Sequence, residues 1–443
     1  MRIHILQAVR KHNLRSNKDT NGGYGTVNDF GRGLIATFLK LLKNRTMNFP
    51  EILPAYTGAI LKQQGHTISF GKNRMNPEAD LVLIQTSIIN YGDELAWARR
   101  IRTEFPQVKV GFIGGMAAGN PQRYQNEGDF VITGETEGAL LQGSIADFSG
   151  VVQGEKLEDL DTLPFPNWDH LQEWKEGYGF VTHGHGRFLP MLSSRGCPMS
   201  CAFYCTYPLV QGNHYRERSP ENVVEEIAYL QKNYGMQTVM FRDPIFSLKM
   251  KRIEQICELI LQRGLKFNWI CETHPRFLNP ELVGLMSRAG CVAVKLGIES
   301  GNLEVMKKSQ RAVPDLTYQE EMVRCIEENG MNVLAFYILG YLDDQASTVR
   351  QTIDYALHLN TYGAQFTIAT PYPGTPWYQE LKEQPERYQL DDDLEHYNQY
   401  RLVFNHPHLD FDELEDLKSL AYRRYYLRPS YIKKHILKIA RNT

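Results

Sequence analysis

Short, continuous apolar runs alternate along the first part of the chain with stretches whose apolar residues recur at helical spacing. Ile3–Ala8, His66–Phe70, Ala79–Ser87, Val108–Gly115 and Asp129–Glu137 read as strands, and Pro50–Gln64 and Glu94–Phe105 as helices. The run Ala79-Asp-Leu-Val-Leu-Ile-Gln-Thr-Ser87 is continuous rather than alternating, the pattern of a strand buried on both faces of a parallel sheet. Strands alternating with helices predict a doubly wound α/β domain over residues 1–150, with Asp129–Glu137 closing the series. The polar, glycine-rich stretch Asn17–Gly33 reads as a long loop after the first strand, and long loops inside compact domains are often functional. In a sheet of this kind ligands lie over the carboxyl ends of the strands, here Thr86-Ser87, Gly114-Gly115 and Gly134-Glu135.

A second series follows. Strands are predicted at Pro190–Ser194, Thr238–Arg242, Lys266–Cys271, Ala293–Gly297, Asn332–Leu339 and Gly363–Thr370. Helices lie between them at Pro220–Tyr234, Lys249–Arg263, Pro280–Ala289, Tyr318–Asn329 and Ala346–Leu359. Six such units make a partial (β/α)6 barrel over 188–385, with site residues at the strand ends. Residues 151–187 form the connector. It holds the proline-rich Leu160–Trp168 and a Gly-rich turn carrying His183 and His185, read as a loop facing the cleft between domains. Ala369–Pro376 makes a rigid turn after the last strand, and residues 386–443 are a mainly helical tail.

At 443 residues the chain is too long for one ordinary core. Its formal net charge of −2 argues against a nucleic-acid-coating surface. No apolar run reaches membrane-spanning length, and Met1–Leu6 opens like a strand rather than an export signal, so the expected setting is a reducing cytoplasm. The Arg- and Lys-rich tail is a solvated amphipathic face, and it also offers a peripheral contact to a membrane.

The chemistry concentrates in Met191-Leu-Ser-Ser-Arg-Gly-Cys197-Pro-Met-Ser-Cys201-Ala-Phe-Tyr-Cys205, three cysteines spaced Cys-x3-Cys-x3-Cys. A zinc site needs four ligands, usually in two pairs, and the chain has no second pair. Three thiolates can instead hold three irons of a four-iron, four-sulfur cluster and leave the fourth iron open to a cofactor. Buried structural thiols or a redox pair are the plain alternatives. Cys257, Cys271, Cys291 and Cys325 stand apart in apolar or helical context and read as core residues.

The loop, with its Arg195-Gly196-Cys197-Pro198 lead-in, resembles that of the radical S-adenosylmethionine (SAM) enzymes. The spacing departs from their commoner Cys-x3-Cys-x2-Cys by one residue before Cys205. Upstream, the order of helix, Gly65-His66, the Asp80 strand, Gly114-Gly115 and Gly134-Glu135 resembles the Rossmann-like cobalamin-binding domain of one large radical-SAM class. Gly297–Gly301, Pro371–Pro376 and the closing Tyr426–Pro429 resemble further elements of that class.

The resemblance implies a [4Fe-4S] cluster on Cys197, Cys201 and Cys205, and SAM beside Tyr204, Asp243, Glu272, Glu299 and Ser300. It implies cobalamin near Ser87, Gly114, Gly115, Gly134 and Glu135, with His66 structural and no protein histidine on the lower face of cobalt. The reaction implied is methyl transfer to an unactivated carbon of a small molecule, lipid or natural product, with the deoxyadenosyl radical taking a substrate hydrogen. An electron donor such as flavodoxin or ferredoxin is the implied partner, and nucleic acid is not expected. A non-methylating cyclisation or rearrangement, a non-catalytic cobalamin or cluster sensor, and a first domain that only packs or binds another nucleotide are the competing readings.

Overall fold

The computed structural model describes residues 1–10, 17–27, 29–171, 174–175, 178–179, 187–311 and 315–433; the His183 and His185 turn lies outside them. Two parallel six-stranded sheets organise the chain. The first contains β1 (Arg2–Gln7), β2 (Thr67–Lys72), β3 (Leu81–Gln85), β4 (Lys109–Ile113), β5 (Phe130–Gly134) and β6 (Gly150–Gly154), in the order β2-β1-β3-β4-β5-β6. Strand order reverses between β1 and β3, the place where doubly wound sheets open a crevice at their carboxyl edge. Leu81, Val82, Leu83 and Ile84 of β3 are fully buried, as a continuous apolar run requires. The helix expected at Pro50–Gln64 spans Ile52–Gln63, and Gly65 follows it with φ +84°, a left-handed stop that suits glycine.

The series of strands runs one further than expected. β6 pairs in parallel with β5 from Phe130↔Gly150 to Gly134↔Gly154. Its sequence Gly-Val-Val-Gln-Gly is short, and Val151 is half exposed at the sheet edge, so its apolar signal is weak. A further helix, Leu34–Thr46, follows the glycine-rich loop.

The second sheet holds β7 (Phe188–Met191), β8 (Thr238–Phe241), β9 (Asn268–Thr273), β10 (Cys291–Glu299), β11 (Asn332–Leu339) and β12 (Gly363–Ile368), all parallel and in chain order. Among the described residues no ladder joins β12 back to β7, which makes this a partial barrel. Val239, Phe241, Trp269, Cys271, Val294 and Leu296 face outward into the main core beneath the helices. Phe188, Met240, Ile270 and Ala293 face inward and form a separate cluster against Phe49. Helix Pro220–Tyr234 starts on a Ser219 cap that accepts from Asn222 N, and ends on Gly235 in the left-handed region.

β12 would leave an open edge. The C-terminal helix Phe411–Tyr426 closes it with tyrosine hydroxyls. Tyr422 Oη accepts from Phe366 N (3.1 Å) and donates to Phe366 O (3.0 Å). Tyr426 does the same for Ala364 (3.1 and 2.7 Å), and Tyr425 donates to Thr361 O (2.7 Å). The tail tyrosines thus stand in for a missing strand. Tyr422→Phe should leave a buried backbone N–H and C=O unpaired and cost about 1–3 kcal/mol. Urea unfolding measures this, and an unchanged midpoint would contradict it.

Candidate active site

The cysteine loop leaves β7 through Ser193 and the two-residue strand Ser194–Arg195, which pairs antiparallel with Arg216–Glu217. Asp243, just past β8, is fully buried and fixes this exit. Its carboxylate accepts from Ser193 N (2.9 Å), Ser193 Oγ (2.5 Å) and Ser194 Oγ (2.6 Å). Gly196 then turns at φ +83°, where a Cβ would lie 1.9 Å from His214 O, so only glycine passes. Cys197 N donates to Gly212 O (3.0 Å), and a short turn at Ser200–Phe203 brings Cys205 N onto Cys201 O (3.0 Å). That turn accommodates the additional residue of the Cys-x3-Cys spacing. Cys205 then stands at the start of helix Thr206–Gln211.

Cys197 and Cys201 are buried and Cys205 is half-buried. The hydrogen bond from Cys205 and the nearby Arg311 guanidinium outweigh burial and hold the Cys201 thiol at about 7. Burial pushes Cys197 up to about 11. Among the described residues no three His, Cys, Asp or Glu side chains are arranged around one ion. In a four-iron cluster each thiolate serves a different iron, and three thiols on one glycine-turned loop fit that donor set.

The other residues expected around SAM lie at the same end of the barrel. Tyr204 meets Tyr341 ring edge to face, 5.7 Å between centroids, and accepts from its hydroxyl (3.3 Å). Glu299 ends β10 with φ +70°, a strained backbone for a residue with a side chain, and pairs with Arg311 Nη2 (2.8 Å). Ser300 Oγ bonds Thr352 Oγ1 (2.9 Å). Glu272 points into the barrel toward Lys295 (3.0 Å) and Arg242 (3.5 Å). His274, which no sequence motif marks, is buried past β9. Its Nδ1 accepts from Arg276 N (3.2 Å), while Nε2 has no partner among the described residues. Burial, then the charges of Arg311 and Arg276, push this imidazole down to about 3.

The carboxyl edge of the first sheet faces this assembly. Glu135, with its neighbour Glu137, is spent on the second half of the chain. Arg195 Nη2 lies 2.7 Å from Glu137 Oε1, and Arg216 Nη2 lies 2.6 Å from Glu135 Oε1, with all four side chains buried. Burial opposes the Glu135 charge, but Arg195 and Arg216 outweigh it and hold the carboxyl below its usual range. Ser87 donates to Glu94 (2.8 Å), which pairs with the fully buried Lys18 (2.7 Å). Gly114 (φ +110°) and Gly115 lie under the glycine-rich loop, and a Cβ on Gly115 would meet Gly22 O at 2.4 Å. That loop is a wedge between the domains. Thr206 Oγ1 donates to Asn21 O (2.6 Å), and Tyr24 Oη donates to Pro373 O (2.7 Å). These glycines serve close packing within the protein: Gly114 and Gly115 are buried, and a Cβ on Gly134 (φ +67°) would meet Gly154 O at 2.2 Å. His66 lies against the amino terminus, at the opposite edge of the sheet.

Asp19 and Glu51 meet beside the start of helix Ile52–Gln63. Burial and then the Glu51 charge push the Asp19 carboxyl from 3.8 up to about 8.

The sequence profile of the radical SAM superfamily matches residues 191–356. An uncharacterised methyltransferase of Pyrococcus horikoshii is 30% identical over 63% of this chain and 59% of its own length. The bacteriochlorophyllide d C-12(1)-methyltransferase of Chlorobaculum tepidum is 25% identical over 80% of this chain and 76% of its own. The anaerobic magnesium-protoporphyrin IX monomethyl ester cyclase of Rubrivivax gelatinosus is 27% identical, over 62% and 48%. The fold matches that of the radical SAM methyltransferase TsrM of Kitasatospora setae, solved with cobalamin and a [4Fe-4S] cluster. The TM-score is 0.65 at 17% identity, over 97% of this chain and 91% of that one. The cobalamin-dependent enzyme OxsB, solved with aqua-cobalamin, also gives 0.65, at 13% identity over 93% and 65%.

Two outcomes follow from these charges. Glu137→Gln should cost about 3 kcal/mol by stranding part of the buried Arg195 charge, read by urea unfolding; a loss below 1 kcal/mol would contradict it. Because the folded pKa of Asp19 lies above its unfolded value, the folded state holds an extra proton between about 4 and 8 and loses stability as pH rises through that window. Asp19→Asn should flatten this decline between pH 6 and 8, measured as unfolding midpoints; an unaltered slope would refute the assignment.

Proposed function

We propose that this chain, which carries the domain of the radical SAM superfamily, is a cobalamin-dependent radical-SAM enzyme that methylates an unactivated carbon of a small-molecule, lipid or natural-product substrate. The observation that carries the reading is the placement of Cys197, Cys201 and Cys205 on one anchored loop between the barrel mouth and the carboxyl edge of the first sheet. The chain matches only part of the length of several relatives, and their methyltransferase and cyclase names support this class of chemistry. When bound, a four-iron cluster, SAM and cobalamin supply an electron, a radical source and a methyl group.

The protein's part is placement. Asp243 and Gly196 set the cysteine loop, Arg195 couples it to the first sheet, and Tyr204, Glu299 and Ser300 border the position proposed for SAM. Gly114, Gly115 and Gly134 let neighbouring backbone pack closely at the edge proposed for cobalamin, and Ser87 and Glu135 are held there by Glu94 and Arg216. A low-potential donor such as a flavodoxin or ferredoxin completes the proposal.

Cyclisation without methylation is the second reading, favoured by the relatives named as cyclases. Anaerobic turnover separates the two. A methyltransferase should release 5′-deoxyadenosine and S-adenosylhomocysteine together, whereas a cyclase should release the first alone; formation of neither across a broad substrate panel would contradict both. Cys205→Ala, like Cys197→Ala and Cys201→Ala, should lower SAM cleavage below detection, and full cleavage in Cys205→Ala would exclude the third ligand.

A further inference from the structure

The interior of the partial barrel carries a layer of charge in which Glu272, expected beside SAM, meets two cations that the chemistry above does not use. The register Met240↔Ile270↔Ala293 places these three side chains side by side on the inward face. Two residues further along the same face stand Arg242, Glu272 and Lys295, with Glu272 directly opposite Lys295. Below them, Phe49 packs on Phe188 with ring centroids 4.7 Å apart and gives the lumen an apolar floor.

The opposite wall differs. In β11 the residues Leu334, Phe336 and Ile338 are half-buried while Val333, Ala335, Tyr337 and Leu339 are buried, although β11 is an interior strand. Gln365 and Thr367 of β12 are half-buried in the same alternation. These accessible residues face inward, so the lumen is open space with one apolar wall and one charged wall.

The charged wall is short of acceptors. Arg242 and Lys295 are each nine-tenths buried, and both lean on a single oxygen, Glu272 Oε1, at 3.5 and 3.0 Å. Their other recorded hydrogen-bond contacts are to Met240 Sδ, at 3.9 and 3.7 Å. A guanidinium has five N–H donors, and 3.5 Å is the outer limit of a hydrogen bond. Among the described residues Arg242 Nε and Nη2 have no acceptor, yet neither is sealed inside protein. Further off, Asp19 and Glu51 act on Arg242 only through space. Two buried cations sharing one carboxylate oxygen are a site waiting for a second anion, since a buried cation without acceptors is costly.

We propose that Arg242 and Lys295 bind an oxyanion of the substrate, a carboxylate or a phosphate, while its apolar body lies along Leu334, Phe336 and Ile338. Glu272 keeps the two cations apart and limits their affinity. This names a substrate class for the active site proposed above and rests on that reading. The anion sits one layer above the apolar floor, and the rest of the molecule extends toward the cysteine loop.

The test uses the full chain, anaerobically reconstituted, titrated with phenyl phosphate and with 3-phenylpropionate while the thermal midpoint is read. SAM cleavage is assayed on the same samples. At least one probe should raise the midpoint saturably. A response to phenyl phosphate alone assigns a phosphate, and one to 3-phenylpropionate alone assigns a carboxylate. Lys295→Met should weaken the apparent affinity about tenfold or more, because a charge-assisted bond is lost. Lys295→Arg should retain the response and shows that the fold tolerates change there. Glu272→Gln should act in the opposite direction and tighten binding, because a competing negative charge is gone. A purely structural ion triad predicts no response and no such reversal of sign. No response to either probe in the unaltered protein, or an equal response in Lys295→Met, overturns the inference. Anion responses without SAM cleavage would support the anion site and count only against the radical reading. Intact cleavage without anion responses would remove the anion site alone.

Discussion

Four buried charges hold the two halves of this molecule in register. Glu135 and Glu137 stand at the edge of the first sheet, and Arg195 and Arg216 come from the loop that carries the cysteines and from the short strand paired with it. Removing four charges from water is expensive, and their mutual attraction recovers that cost only while every partner is in place. Any sliding of one sheet against the other would strand a buried charge. Arg195 is two residues before Cys197, so the position of the first sulfur is tied to the packing of the domains rather than to its own loop alone.

The remaining anchors follow from the same constraint. Asp243 locks the start of the loop from the barrel side, so the loop is held from both directions. The glycine-rich loop fills the space between, its glycines lying against the backbone of Gly115 and Thr206 where no side chain would fit. The tail tyrosines close the open edge of the barrel sheet, and the barrel can thus remain incomplete without offering an edge to another chain. What results is a two-sheet scaffold whose barrel lumen is walled and whose cysteine loop is held from both sides.

Much of this was legible in the sequence because it rests on local patterns. Helices Pro220–Tyr234 and Ala346–Leu359 and strand Asn332–Leu339 form where periodicity placed them. Their apolar spacing and their Ser219 and Gly235 punctuation are encoded within each segment. Strand Gly150–Gly154 has no clear sequence signal, because an edge strand with two valines hardly differs from a loop. The cysteine loop was legible for the same local reason, down to Gly196.

The roles of Glu135 and Ser87 were not legible. Their partners are Arg216, far along the chain, and Glu94, whose own partner Lys18 comes from a loop with no periodic signal. Lys295 left a trace, a single charge within the otherwise apolar run Ala293–Leu296, and only the register of neighbouring strands reveals what it faces. The proposed function requires one chain to hold both an iron–sulfur cluster and a corrinoid. Its most direct test is the iron and cobalt content per chain after anaerobic reconstitution with iron, sulfide and cobalamin. About four irons and about one cobalt are expected. Iron without cobalt would contradict the corrinoid half, and a chain that retained neither metal would contradict the whole.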